Sequence, residues 1–141
     1  MTIRRKTSEE DGMTAVRQVR DLFAPLKDTA AEGVFLPENI EQAFSTLPRS
    51  VRATFVRFSL EELATLAPGN SVEVRVPPLG VIQCVAGPRH TRGTPPSVVE
   101  TSPAVWAALI LGACTWEQAS SAGILHASGE RSNLSSILPL F

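Results

Sequence analysis

Between Thr14 and Leu26 apolar side chains return at every third or fourth position, at Val16, Val19, Leu22, Phe23 and Leu26, with Arg17, Gln18, Arg20 and Asp21 between them. That period predicts an amphipathic helix, and Pro25 is its expected end. After a polar connector over 27–33, Pro37-Glu38-Asn39-Ile40 opens a short helix through Phe44 and Leu47, with proline at a tolerated early position and an acid in the first turn. The stretch 49–67 reads two ways. Val51, Ala53 and Phe55 alternate with Arg52 and Thr54 as in a strand. At 100° per residue, however, Ser50, Thr54, Arg57, Glu61 and Thr65 gather on one side, and Val51, Phe55, Val56, Phe58, Leu60, Leu63 and Leu66 cover the other. Helix fits better. Ser59-Leu60-Glu61-Glu62 matches a capping box, which leaves a kink or a fresh start at Ser59 open, and Pro68-Gly69 ends the segment.

Beyond Gly69 the period changes to two. Ser71 to Val76 places three valines on one face and Glu73 and Arg75 on the other, and Pro77-Pro78-Leu79-Gly80 turns the chain into Val81 to Ala86, an antiparallel pair. A Gly/Pro-rich loop leads to a third strand, Ser97 to Thr101. Ser102 caps a helix with Pro103 at its first position; it carries Val105, Trp106, Leu109 and Ile110 and stops at Gly112. Thr115-Trp116-Glu117-Gln118 is a second capping box, opening a helix that ends by Gly123. Ile124 to Ser128 reads as a short strand, and Glu130 to Leu138 as a last helix closed by Pro139. The expected organisation is a flexible tail over 1–12 and one domain over 13–141, helical in 14–67 and built of sheet plus C-terminal helices in 71–141.

The composition sharpens this outline. The 141 residues suffice for one domain with a real core, and only 19% are charged where about a quarter is usual. Three of the thirteen basic and three of the fourteen acidic side chains fall in 76–141. The second half is therefore unusually uncharged. A net charge of −1 supplies no long-range field for nucleic acid. Arg4, Arg5 and Lys6 are followed by Ser8 to Gly12 where a secretory signal needs an apolar run, so the reading is cytoplasmic. The longest apolar run, Ala104 to Cys114, falls far short of the roughly 20 residues that cross a bilayer.

Catalytic constellations are thin. Asp11, Asp21 and Asp28 all lie in the N-terminal third, leaving no Asp in the second half to orient a histidine beside a nucleophile. His90 and His126 are too few for a three-histidine metal site, no phosphate-loop motif is present, and no cofactor is expected. Cys84 and Cys114 read first as small buried apolar side chains; either thiol beside His90 is the one nucleophile pair to weigh. Two clusters remain. The loop Gly87 to Pro96 presents Arg89, His90 and Arg92 on a frame of glycines and prolines, donors suited to a carboxylate or phosphate headgroup, or to surface pairing with Glu100 or helix C-terminal carbonyls. The apolar set Ile82, Cys84, Val99, Val105, Trp106, Leu109, Leu134 and Leu138, extended by Ile110, Ile137 and Phe141, is either core or the wall of a cavity.

The run 71–138 resembles the sterol carrier protein family in its bacterial, mostly actinobacterial, single-domain branch. The resemblance rests on Ala67-Pro68-Gly69-Asn70-Ser71-Val72-Glu73-Val74-Arg75-Val76-Pro77-Pro78, on Gln83-Cys84, and on Gly87-Pro88-Arg89-His90-Thr91-Arg92-Gly93-Thr94-Pro95-Pro96 with Ser97 to Thr101. It continues through Trp106, Gly112, Thr115-Trp116, Ala119, Gly123, Ala127-Ser128-Gly129 and Asn133-Leu134-Ser135, and Leu60-Glu61-Glu62-Leu63-Ala64 adds to it. It implies an α/β fold of the α+β kind: a curved, mainly antiparallel sheet of about four to five strands covered by helices. A hydrophobic tunnel between sheet and helices, lined by the eight apolar residues named first, would take a fatty-acyl or lipid-like molecule, with Arg89, His90 and Arg92 at its mouth. The resemblance carries over no catalytic residue, and residues 1–47 lie outside it. The reading is a non-catalytic carrier of an apolar small molecule. Two others stand beside it: an accessory or partner domain of a thiol-dependent isomerase-like or transferase enzyme, and a homodimerising scaffold module.

Overall fold

The alternating valines at 72, 74 and 76 are fully buried and form the centre of a sheet's covered face. The computed structural model describes every residue except 1–4, 32–35 and 89–96, with the backbone alone for 29–31. In it β1 (Val72–Val76) pairs antiparallel with β2 (Gly80–Cys84), with Val74 opposite Ile82. On its other side β1 pairs in parallel with β3 (Ser97–Thr101), which pairs antiparallel with β4 (Leu125–Ser128). The order is β2-β1-β3-β4, so the expected mainly antiparallel sheet has one parallel pair at its centre. Helices cover one face. The other carries Glu73, Arg75, Gln83, Glu100 and His126, the polar half of a sheet wetted on one side.

Where side-chain caps fix a helix end, sequence and structure agree. Ser102 Oγ accepts from Val105 N at 3.2 Å to start α4 (Pro103–Leu111), and Gly112 closes it at φ +75°. Thr115 and Gln118 exchange both bonds of a capping box at α5 (Trp116–Ser121). Every residue of α4 from Ala104 to Leu111 is buried, which is where the uncharged second half goes.

The helical layer departs from expectation at three points. First, α1 spans Glu9–Ala31 and takes in both residues 9–12, expected as tail, and Pro25, expected as terminator. Ser8 Oγ accepts from Asp11 N at 3.1 Å, a cap followed by acids at 9, 10 and 11. Pro25 is exposed, at a position where water can solvate the carbonyl that a helical proline leaves unmatched. Second, α3 (Arg49–Leu66), reached through α2 (Pro37–Ser45), runs unbroken through Ser59. That side chain is buried, donating to Val56 O at 3.0 Å and accepting from Trp106 Nε1 at 2.9 Å; it ties α3 to α4 instead of capping a new helix. Third, 130–138 holds turns, not a helix. Ser132 Oγ bonds Gly129 O, Asn133 Oδ1 accepts from Ser135 N, and Arg131 N donates to Ser97 Oγ, so local side chains take the groups a helical ladder needs. The segment ends with Leu140 N and Phe141 N both on Ile110 O, and the Phe141 ring stacked on Phe58.

Candidate functional site

α3 lies over β2, and α1 packs on α3. Gly80, the first residue of β2, makes the lower contact close: a Cβ there would stand 2.9 Å from Leu60 Cδ1. Beside this contact the layers part into a slot of about 260 Å³, lined by Leu60, Leu79, Gly80, Val81 and Ile82, with Lys6, Arg57 and Glu61 at its polar end. Val81 is 58% exposed, a large apolar side chain at the edge of the sheet.

The polar end is built by the segment before α1. Glu61 is 6% exposed, yet its carboxylate is satisfied: it accepts from Lys6 N and Thr7 N, each at 2.9 Å. Arg5 pairs with Glu62, donates to Thr65 Oγ1, and sits 5.5 Å from the centre of the Phe58 ring. These bonds strap residues 5–7 across α3 and bring Lys6 to the mouth of the slot. Above it Lys6 and Arg57 also line a polar basin of about 640 Å³, with Asp11, Thr14 and Gln18 of α1 facing Ser50 and Thr54 of α3. The polar stripe of α3 therefore faces the N-terminal segment. On the other side Leu79, Gly80 and Val81 continue into a cleft of about 520 Å³ over Pro77, Pro78 and Arg75. Arg75 is paired with Glu73.

The eight apolar residues singled out from the sequence divide. Cys84, Val99, Val105, Trp106 and Leu134 are buried in the core, Trp106 with 0% exposure. Ile82 lines the slot. Leu109 and Leu138 line a separate cleft of about 480 Å³ with Cys114, Trp116, Pro139, Lys27 and Glu117. Arg89, His90 and Arg92 lie outside the described residues. The sequence reading missed Lys6, Leu60 and Leu79 as a group; the Ser8-x-x-Asp11 cap was the available signal that the segment before α1 is held in place.

Burial pushes the Cys84 thiol up from 9.0 to about 11 and the Cys114 thiol to about 12, so both stay protonated near neutrality. An attacking cysteine needs the opposite shift. Among the described residues no three histidine, cysteine or carboxylate side chains cluster as a metal would require, and no helix is long and apolar enough to cross a membrane.

A mixed, mainly antiparallel sheet roofed on one face by helices, with an apolar slot between the layers, defines an α+β domain of the sterol-carrier type. A family model described as bacterial SCP ortholog matches residues 48–140, well over half of the chain, and the protein belongs to that family. No curated protein matches it.

Proposed function

We propose that the protein is a non-catalytic binding module that shelters an apolar, lipid-like small molecule. The observation that carries this is the slot between β2 and α3, which lies between sheet and helices in a member of the sterol carrier family. Its walls are aliphatic and it opens to the surface, as a carrier that must release cargo requires. Ile82, of the residues expected to line a tunnel, is the one proposed here as a wall; Leu109 and Leu138 offer a second apolar surface in the cleft beside α5. Each buried methylene contributes roughly 0.8 kcal/mol. After the losses of association, affinities of about micromolar or weaker are expected.

The test is displacement of a fluorescent fatty-acyl probe, with native mass spectrometry of the freshly purified protein for retained ligand. Binding by the wild type and loss of about tenfold in Ile82→Trp, whose larger side chain takes up part of the slot, support the reading. A wild type that neither retains a ligand nor binds the probe overturns it. The thiol-enzyme reading draws no support from two thiols held protonated by burial.

A further inference from the structure

We propose that residues 5–7 are a gate: a strap, hinged at Ser8, that lifts from α3 and closes on it again, and whose opening sets the rate at which cargo enters and leaves the slot. This rests on the carrier reading and adds its regulation, by a segment that lies outside the family match over 48–140. Three observations carry it.

The strap crosses the seam between two cavities. Lys6 lines both the apolar slot and the polar basin beside it, whereas Thr7 and Ser8 line the basin. Lifting the strap takes Lys6 out of the shared wall and leaves slot and basin as one groove.

Its fastenings are polar and peripheral. The Lys6 and Thr7 amides donate to Glu61, and Arg5 pairs with Glu62, donates to Thr65 Oγ1 and stands over the Phe58 ring. None of the three is an apolar residue; Arg5 and Lys6 are exposed and Thr7 is half-buried. Opening therefore gives up little apolar burial. Phe58 keeps its stack on Phe141, and the Glu61 carboxylate exchanges two amides for water. A segment held in this way opens at a small fraction of the cost of global unfolding.

The bonds that close the first turn of α1 do not pass through the strap. Ser8 Oγ accepts from Asp11 N and Ser8 O from Gly12 N, and Ala15, Val16 and Val19 anchor the helix in the core. The chain can swing at Ser8 with α1 and α3 in place.

Stopped-flow fluorescence with cis-parinaric acid measures association and dissociation, and amide hydrogen exchange by NMR measures opening at Lys6 and Thr7. Arg5→Ala removes an exposed ion pair and a cation–π contact, and Arg5 is not among the residues that line the slot. Exchange at the two amides, association and dissociation should each become about tenfold faster, with Kd unchanged within about twofold. An unchanged melting temperature verifies the fold. Arg20→Gln, an exposed charge of α1, should alter none of these rates. In Arg5→Cys/Thr65→Cys, where both native thiols are buried, a short bis-thiol reagent ties the strap to α3. Bridging should slow association and dissociation about tenfold or more relative to the unbridged variant. Faster exchange with unchanged binding rates makes the strap a structural tie and overturns the gate. Binding rates indifferent to bridging, or exchange indifferent to Arg5→Ala, also overturn it, and the carrier reading stands in each case. Faster dissociation alone, with Kd weakened in proportion, makes Arg5 a contact of the cargo and overturns it too. If the wild type, delipidated, binds no cis-parinaric acid, the carrier reading falls, and the gate with it.

Discussion

Ser59 shows how one hydroxyl can serve two helices. Its oxygen is the acceptor for the Trp106 indole in a region without water access, so Ser59→Ala leaves a buried N–H unmatched. A loss of about 1–3 kcal/mol is expected, read as a lower urea midpoint at unchanged slope. The two thiols give a pH signature. Their folded-state values of about 11 and about 12 lie above the 9.0 they return to on unfolding. Above pH 9 the unfolded chain therefore gives up protons that the folded chain keeps, and stability falls as pH rises. Melting temperatures from pH 8 to 11 should drop more steeply for the wild type than for Cys84→Ala/Cys114→Ala; equal slopes would show that the thiols titrate alike in both states. Single residues were legible from the sequence as apolar or polar, but not as wall or filling. Ile82 and Val99 are both aliphatic strand residues, yet one lines a slot and the other is sealed. The difference lies in what the surrounding elements leave uncovered, which no residue encodes alone.

Among the elements, α1 and α3 approach each other through Gly12, whose Cβ, if present, would fall 2.2 Å from atoms of the Phe58 ring. Two effects oppose each other in Gly12→Ala. Helix propensity favours alanine by about 1 kcal/mol, whereas overpacking against a buried ring costs about 1–3 kcal/mol. The clash wins, and net destabilisation is expected in chemical denaturation. In a Phe58→Leu background the sign should reverse or the loss disappear, which a purely conformational effect of glycine could not produce. Elements whose limits are set within four residues were legible: the Ser102 cap, the Thr115 box, the Gly112 stop and the valine alternation of β1. Those decided by partners were not. The start of α1 depends on Ser8 and on Glu61, more than fifty positions away. The missing last helix depends on Ser97, Ser132 and Asn133 drawing the backbone into turns.

At the scale of the whole molecule, the scarcity of charge in 76–141 is explained by α4, in which every residue from Ala104 to Leu111 is buried. The candidate site was largely illegible, because Lys6, Arg57, Leu60, Leu79 and Ile82 come from three stretches of sequence that meet only after residues 5–7 have been strapped across α3. The parallel pairing of β1 with β3 was equally hidden, since alternation fixes which face a strand buries and not which neighbour it takes. That central pair also sets a timetable. The β1–β2 hairpin joins residues separated by one tight turn and can close early, whereas β3 pairs with β1 across about 25 positions of sequence, Val72 with Ser97. Folding is thus expected to commit through the hairpin and α3, with β3 and β4 docking afterwards, so the half of the sheet farthest from the slot is the last to assemble and the first to let go.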